Sequence, residues 1–298
     1  ARFLDIAQRR SLRPFLQVVA ANQAWWFKRA DSNWNTVCAG GAGMLALAMH
    51  DDLPEAAEVL QRAEESIATY FASLDKTDGA WPEGSGYWNY GMRYGFMYLL
   101  SHERATAQPH PILARPAVRA TLQFPVDFTP RGVPCSFGDV NQWTPMPFHF
   151  AMAKRFGVPM PAIPTYRDES WPSNAEILLL HSKQKKLVTP RRQIKLYRGL
   201  DWGILTNRQL TLTVRGGTTE VPHGHRDLLS FHAVVGDDER LLRATEVREV
   251  LVGAGEDARA DDDVVGARRG AHGHRDHCSS SSRTRSATSA TDPTPSTT

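Results

Sequence analysis

The chain contains few cysteines: only Cys38, Cys135 and Cys278 in 298 residues. An odd number spread over so long a chain excludes a disulfide scaffold. Long apolar runs are also missing. The stretch from Gly40 to Met49 is about half the roughly 20 residues that a membrane-crossing helix needs, and glycines interrupt it. No period runs through the chain, which excludes collagen-like and coiled-coil architectures. Excess charge is small, net +3, and no dense basic stripe marks a nucleic-acid surface. Neither a membrane nor a nucleic acid is therefore expected as a partner. The opening Ala1-Arg2-Phe3-Leu4-Asp5 shows no apolar core before a small-residue cleavage site, so no secretory signal is legible and a processed chain or a fragment is expected. The last absence is local. No aromatic residue follows Phe231, and 13 of the final 20 residues are Ser or Thr, a composition that builds no core. Residues 251–298 are expected to be a disordered or non-native tail, for which a change of reading frame near Val250 would account.

What remains is well supplied for folding: 41% hydrophobic residues, with Trp, Tyr and Phe concentrated before residue 232. Up to about residue 185 the pattern is helical. Leu60, Ala63, Ile67, Phe71 and Leu74 fall at steps of three and four and line one helix face, with Pro54 suited to the first turn. A second helix is expected over roughly Tyr90 to Glu103, after a Gly-rich loop. From about Arg191 the period changes to two. Leu210 to Arg215 alternates as a half-buried strand does, and Ile194–Tyr197, Trp202–Thr206 and Ser230–Val235 read as further strands. Helices first and strands second predict an α+β fold, with a helical domain over 1–185 and a sheet domain over 190–250.

Three segments carry candidate chemistry. In Ser32-Asn33-Trp34-Asn35, two amides flank a Trp, which suits a sugar ring bearing a carboxylate. The plainer reading is a helix N-terminus capped by an Asn. In Asp78-Gly79-Ala80-Trp81-Pro82-Glu83-Gly84-Ser85-Gly86-Tyr87-Trp88-Asn89-Tyr90, aromatic and polar side chains crowd a turn-rich loop. Trp81, Glu83, Trp88 and Tyr90 are substrate-binding candidates there, alongside Trp34 and Asn35. In His223-Gly224-His225-Arg226-Asp227, extended backbone would put both imidazoles on one side, with Arg226 available to an anionic substrate and Asp227 as a possible acceptor. The same pentapeptide recurs at His272 to Asp276, before His277 and Cys278. Coincidence in a biased segment accounts for it better than a metal-binding tail does. The basic run Lys183 to Arg192 reads as a solvated linker.

Together these segments resemble the heparinase II/III-like polysaccharide lyases, a group that includes the oligoalginate lyases, over roughly Trp25 to Arg248. The resemblance implies an incomplete (α/α) toroid followed by an antiparallel β-sandwich domain. It implies β-elimination at a uronic acid of an anionic polysaccharide or oligosaccharide. Asn33 would neutralise the carboxylate, Tyr87 (or Tyr90, if the register slips) would act as acid and base, and His223 would polarise the site or serve as base. A Tyr can shuttle a proton if flanking cations lower its pKa. Alginate-type members carry His where this chain has Trp34. Some relatives hold a structural zinc, for which His225 is the one matching ligand, so neither a metal nor another cofactor is expected. Many relatives are periplasmic or secreted. The competing expectations are a glycoside hydrolase with Glu83 and Asp227 as acid and base, and a non-catalytic protein that binds acidic carbohydrate.

Overall fold

The computed structural model describes residues 2–139, 143–160, 174–180, 193–207 and 209–235. The expectations for residues 251–298 and for the 183–192 linker lie outside them. The described helices and strands belong to one compact unit, Ala1–Val247. The fold is α+β, helices followed by an antiparallel sheet.

Helix α1 (Arg2–Ala7) passes through a π-helical turn (Gln8–Leu12) into α2 (Arg13–Ala20). Three long helices follow: α3 (Trp34–Ala48), α4 (Ala56–Ser73) and α5 (Gly84–Thr106). Helix α4 buries Val59, Ala63, Ile67, Tyr70 and Phe71, a face spaced at three and four residues as its sequence requires. Its neighbour α3 packs closely because its facing positions are small. A Cβ on Gly40 would lie 2.9 Å from the Tyr94 carbonyl oxygen of α5. Short helices α6 (Pro116–Ala120) and α7 (Phe124–Asp127) and then α8 (Pro147–Phe156) and α9 (Asn174–Leu180) complete the helical part. Among the described residues no helix is long and apolar enough to cross a membrane.

Helix α5 starts six residues before the expected Tyr90. Gly84-Ser85-Gly86 has the composition of a loop, yet Gly84, Ser85, Trp88 and Asn89 are buried, and tertiary packing outweighs the weak helix propensity of glycine. Tyr87 and Tyr90 therefore stand on the first turns of a helix. The strands fall on the expected segments: β1 (Gln193–Tyr197), β2 (Trp202–Thr206), β3 (Leu210–Arg215) and β4 (Phe231–Val235), a meander in the order β1-β2-β3-β4. Strand β3, expected to be half-buried, is instead buried on both faces at all positions but Val214. Tyr197 pairs with Trp202 in register, and both point into an aromatic cluster with Phe124, Phe128 and Phe137. This seam fixes the sheet against α7 and the loop after it. The opposite sheet face exposes Ile194, Leu196, Leu205 and Phe231.

Candidate active site

Four chain segments meet around Glu83, whose side chain is fully buried at the start of α5. The Asn33 backbone N–H donates to Glu83 Oε2 at 2.7 Å, and its side-chain Nδ2 donates to Oε1 and Oε2 at 2.9 and 3.0 Å. Trp81 Nε1 donates to Oε2 at 2.9 Å. Burial pushes the Glu83 carboxyl above the usual carboxylate range, against these hydrogen bonds and the nearby His223.

The sheet part contributes the loop between β3 and β4. His223 Nε2 lies 3.8 Å from Glu83 Oε1, while its Nδ1 faces Asp139 Oδ2 at 2.9 Å. A second imidazole, His225, hydrogen-bonds the other Asp139 oxygen, and together the two rings hold that carboxyl below its ordinary pKa. Tyr87 stacks on the His223 ring with centroids 3.5 Å apart and planes at 13°. The arrangement depends on close backbone approach. Gly138 has φ +67°, and a Cβ there would meet the His223 carbonyl oxygen at 2.5 Å. Asp227 is an anchor for this loop: it pairs with Arg215, 2% exposed, and accepts the Gly138 N–H at 3.1 Å. That engagement leaves it poorly placed for the acid–base role a hydrolase would need.

The expected residues thus divide into groups. Asn33, Glu83, Tyr87 and His223 come together, with His225 beside them. Asn35, Trp81 and Trp88 are fully buried and Asn33 and Glu83 nearly so, at 2% exposure each, so the half-buried Tyr87 and His223 supply the surface a ligand would meet. Asn35 donates to the Trp26 and Phe27 carbonyls, and Trp88 donates to Thr121 Oγ1. Trp34 is half exposed and lies against the exposed Trp25, with ring centroids 5.8 Å apart. Tyr90 is half-buried and packs edge-on to Tyr94, while Arg226 is exposed. A Tyr would shuttle a proton if flanking cations lowered its pKa, whereas burial and then the Asp139 and Glu83 charges raise that of Tyr87. Tyr87 is a phenol that keeps its proton.

Asp139 was not anticipated. Its signal in the sequence is compositional: Gly138-Asp139-Val140-Asn141-Gln142-Trp143 mixes carboxylate, amides and Trp as the other two loops do. Comparison with family models and with curated proteins returns no match.

Proposed function

We propose that the chain is a polysaccharide lyase that cleaves a uronic-acid-containing polysaccharide or oligosaccharide by β-elimination. The observation that carries this reading is the stacking of Tyr87, from a helix, on His223, from the sheet, over the Asn33–Glu83 pair. In this scheme the Nδ1–H of His223 donates to Asp139, which leaves the Nε2 lone pair to take the proton beside the substrate carboxylate. Tyr87, held protonated, gives its proton to the departing glycosidic oxygen. The Asn33 amide would supply a neutral donor as enolate-like charge develops, by turning its Nδ2 from the Glu83 carboxylate to which it donates in the free protein. Trp25 and Trp34 offer an apolar platform for a neighbouring sugar ring. The helices would form an incomplete (α/α) toroid and the sheet one layer of a β-sandwich. The exposed apolar face with Ile194, Leu196, Leu205 and Phe231 supports the sandwich, because a second layer would cover it.

The test is ultraviolet detection of unsaturated uronate on a panel of uronate polymers. The parent is expected to generate the signal, and Tyr87→Phe to reduce turnover by about 100-fold or more with little change in KM. Full activity in Tyr87→Phe with loss in Tyr90→Phe would move the acid one helical turn. Saturated reducing ends, or binding without product, would replace the lyase with a hydrolase or a binding protein.

A further inference from the structure

At the far end of α5 lies a second cluster, separated from Tyr87 by fifteen residues of helix, or roughly 22 Å at 1.5 Å per residue. It joins Glu64 of α4, His102 of α5 and His110, which caps the 3₁₀ turn Pro111–Ala114. One ligand atom from each lies within 4.8 Å of the others. The His102 and His110 rings meet edge-on with centroids 4.7 Å apart. His110 Nε2 faces the two Glu64 oxygens at 3.0 and 2.9 Å, and Tyr98 donates to Oε1 of the same carboxylate. These bonds satisfy Glu64 and His110. They do not satisfy His102, whose Nδ1 is buried with no hydrogen-bond partner.

We propose that Glu64, His102 and His110 form a binding site for a divalent transition metal, zinc by its chemistry. Two imidazole nitrogens and one carboxylate are a recurrent zinc donor set, and softer or harder ions prefer thiolates or all-oxygen shells. Zinc bonds of about 2.0–2.2 Å hold ligand atoms roughly 3.5 Å apart, so His102 needs to approach by at most about 1.3 Å while His110 and Glu64 part by about 0.5 Å. The ion engages a ring nitrogen of His102, the ring whose Nδ1 is buried without a hydrogen-bond partner. It replaces the proton on His110 Nε2, which moves to Nδ1 and gives up the 3.2 Å bond from the Ile112 N–H. The fourth position is open to water on the side of Glu64, whose side chain is 36% exposed while that of His110 is 6% exposed. A bound ion would pin the end of α5 and the following turn to α4.

The test is calorimetric titration of the metal-free 298-residue chain with Zn²⁺. His272, His274 and His277 are replaced by Ala and Cys278 by Ser, so that the tail offers no competing ligands. One zinc per chain is expected, with a higher melting temperature and, with Co²⁺, the visible bands of a tetrahedral site. His102→Gln and Glu64→Gln should each raise Kd more than about 100-fold, beyond the usual effect of losing an outer partner. Absence of saturable uptake or of the thermal shift in the parent would overturn the proposal, whichever variants fold. So would unchanged uptake in both variants, which would assign the ion elsewhere. Lyase assays do not enter this test, so its failure leaves the proposed function standing.

Discussion

Glu83 gathers three donors from Asn33 and Trp81 onto one buried carboxylate. A Gln there has one acceptor oxygen and adds a donor of its own. Glu83→Gln should therefore destabilise the protein by about 1–3 kcal/mol in urea unfolding at neutral pH, the cost of leaving buried donors unmet. An unchanged midpoint would mean that the cluster relaxes to water. A second residue sets a pH dependence. His149 is fully buried, donates from Nε2 to the Leu122 carbonyl at 2.8 Å, and is pushed by desolvation from 6.5 to about 3. The unfolded chain gains a proton on this ring below pH 6.5 while the native state does not. The contribution of His149 is thus complete above pH 6.5 and is lost as pH falls toward 3, at up to about 1.4 kcal/mol per unit. His149→Gln keeps a donor for Leu122 and removes the titration, so its plot of stability against pH should be flatter across that window. Equal slopes in parent and variant would assign acid sensitivity to other groups.

At the scale of elements, legibility followed periodicity. The strands could be read because short runs rich in β-branched, aliphatic and aromatic residues replace the helical pattern, with strict alternation over Leu210–Val214, and α4 because its apolar face repeats at helical spacing. The start of α5 could not be read. Gly84-Ser85-Gly86 is locally a loop sequence, and what makes it helical is packing against residues far away in the chain. Close contact between α3 and α5 has the same origin. Gly40 faces the Tyr94 carbonyl, a backbone atom that cannot rotate away. Gly40→Ala should gain about 1 kcal/mol in helix propensity yet lose about 1–3 kcal/mol to the forced displacement, giving a lower melting temperature. A rise would show that α3 moves outward without penalty.

Across the whole molecule, the candidate site exists only because helices and sheet are held in register. Asn33, Glu83 and Tyr87 belong to the helical part, His223 and His225 to the sheet. The sequence exposed each group as a polar, aromatic cluster, but it contained no local mark of Asp139 as their link, since that contact spans 84 residues. Nor did it show that Trp81, Trp88 and Asn35 face inward, because exposed binding loops and buried packing loops share a composition. The register rests on the aromatic seam. Trp202 packs on Phe124, Phe128 and Phe137 and carries the Arg215 guanidinium 5.7 Å above its ring, and Arg215 in turn holds Asp227 at the base of the histidine loop. Tyr197, beside it, donates to Asp127 Oδ2 at 2.7 Å. Trp202→Ala should remove about 3–5 kcal/mol of stability. If the seam positions the site, substrate turnover in the fraction still folded should fall as well, although Trp202 touches none of the proposed reacting groups. Tyr197→Phe is the matched control, losing the hydroxyl's bond to Asp127 and the one it accepts from Lys195 Nζ, together worth about 2–3 kcal/mol, while keeping every ring contact. It should therefore unfold earlier and still turn over substrate at the parental rate when folded. Equal losses of turnover in both variants would place the control of the site in the Asp127 hydrogen bond rather than in the rings.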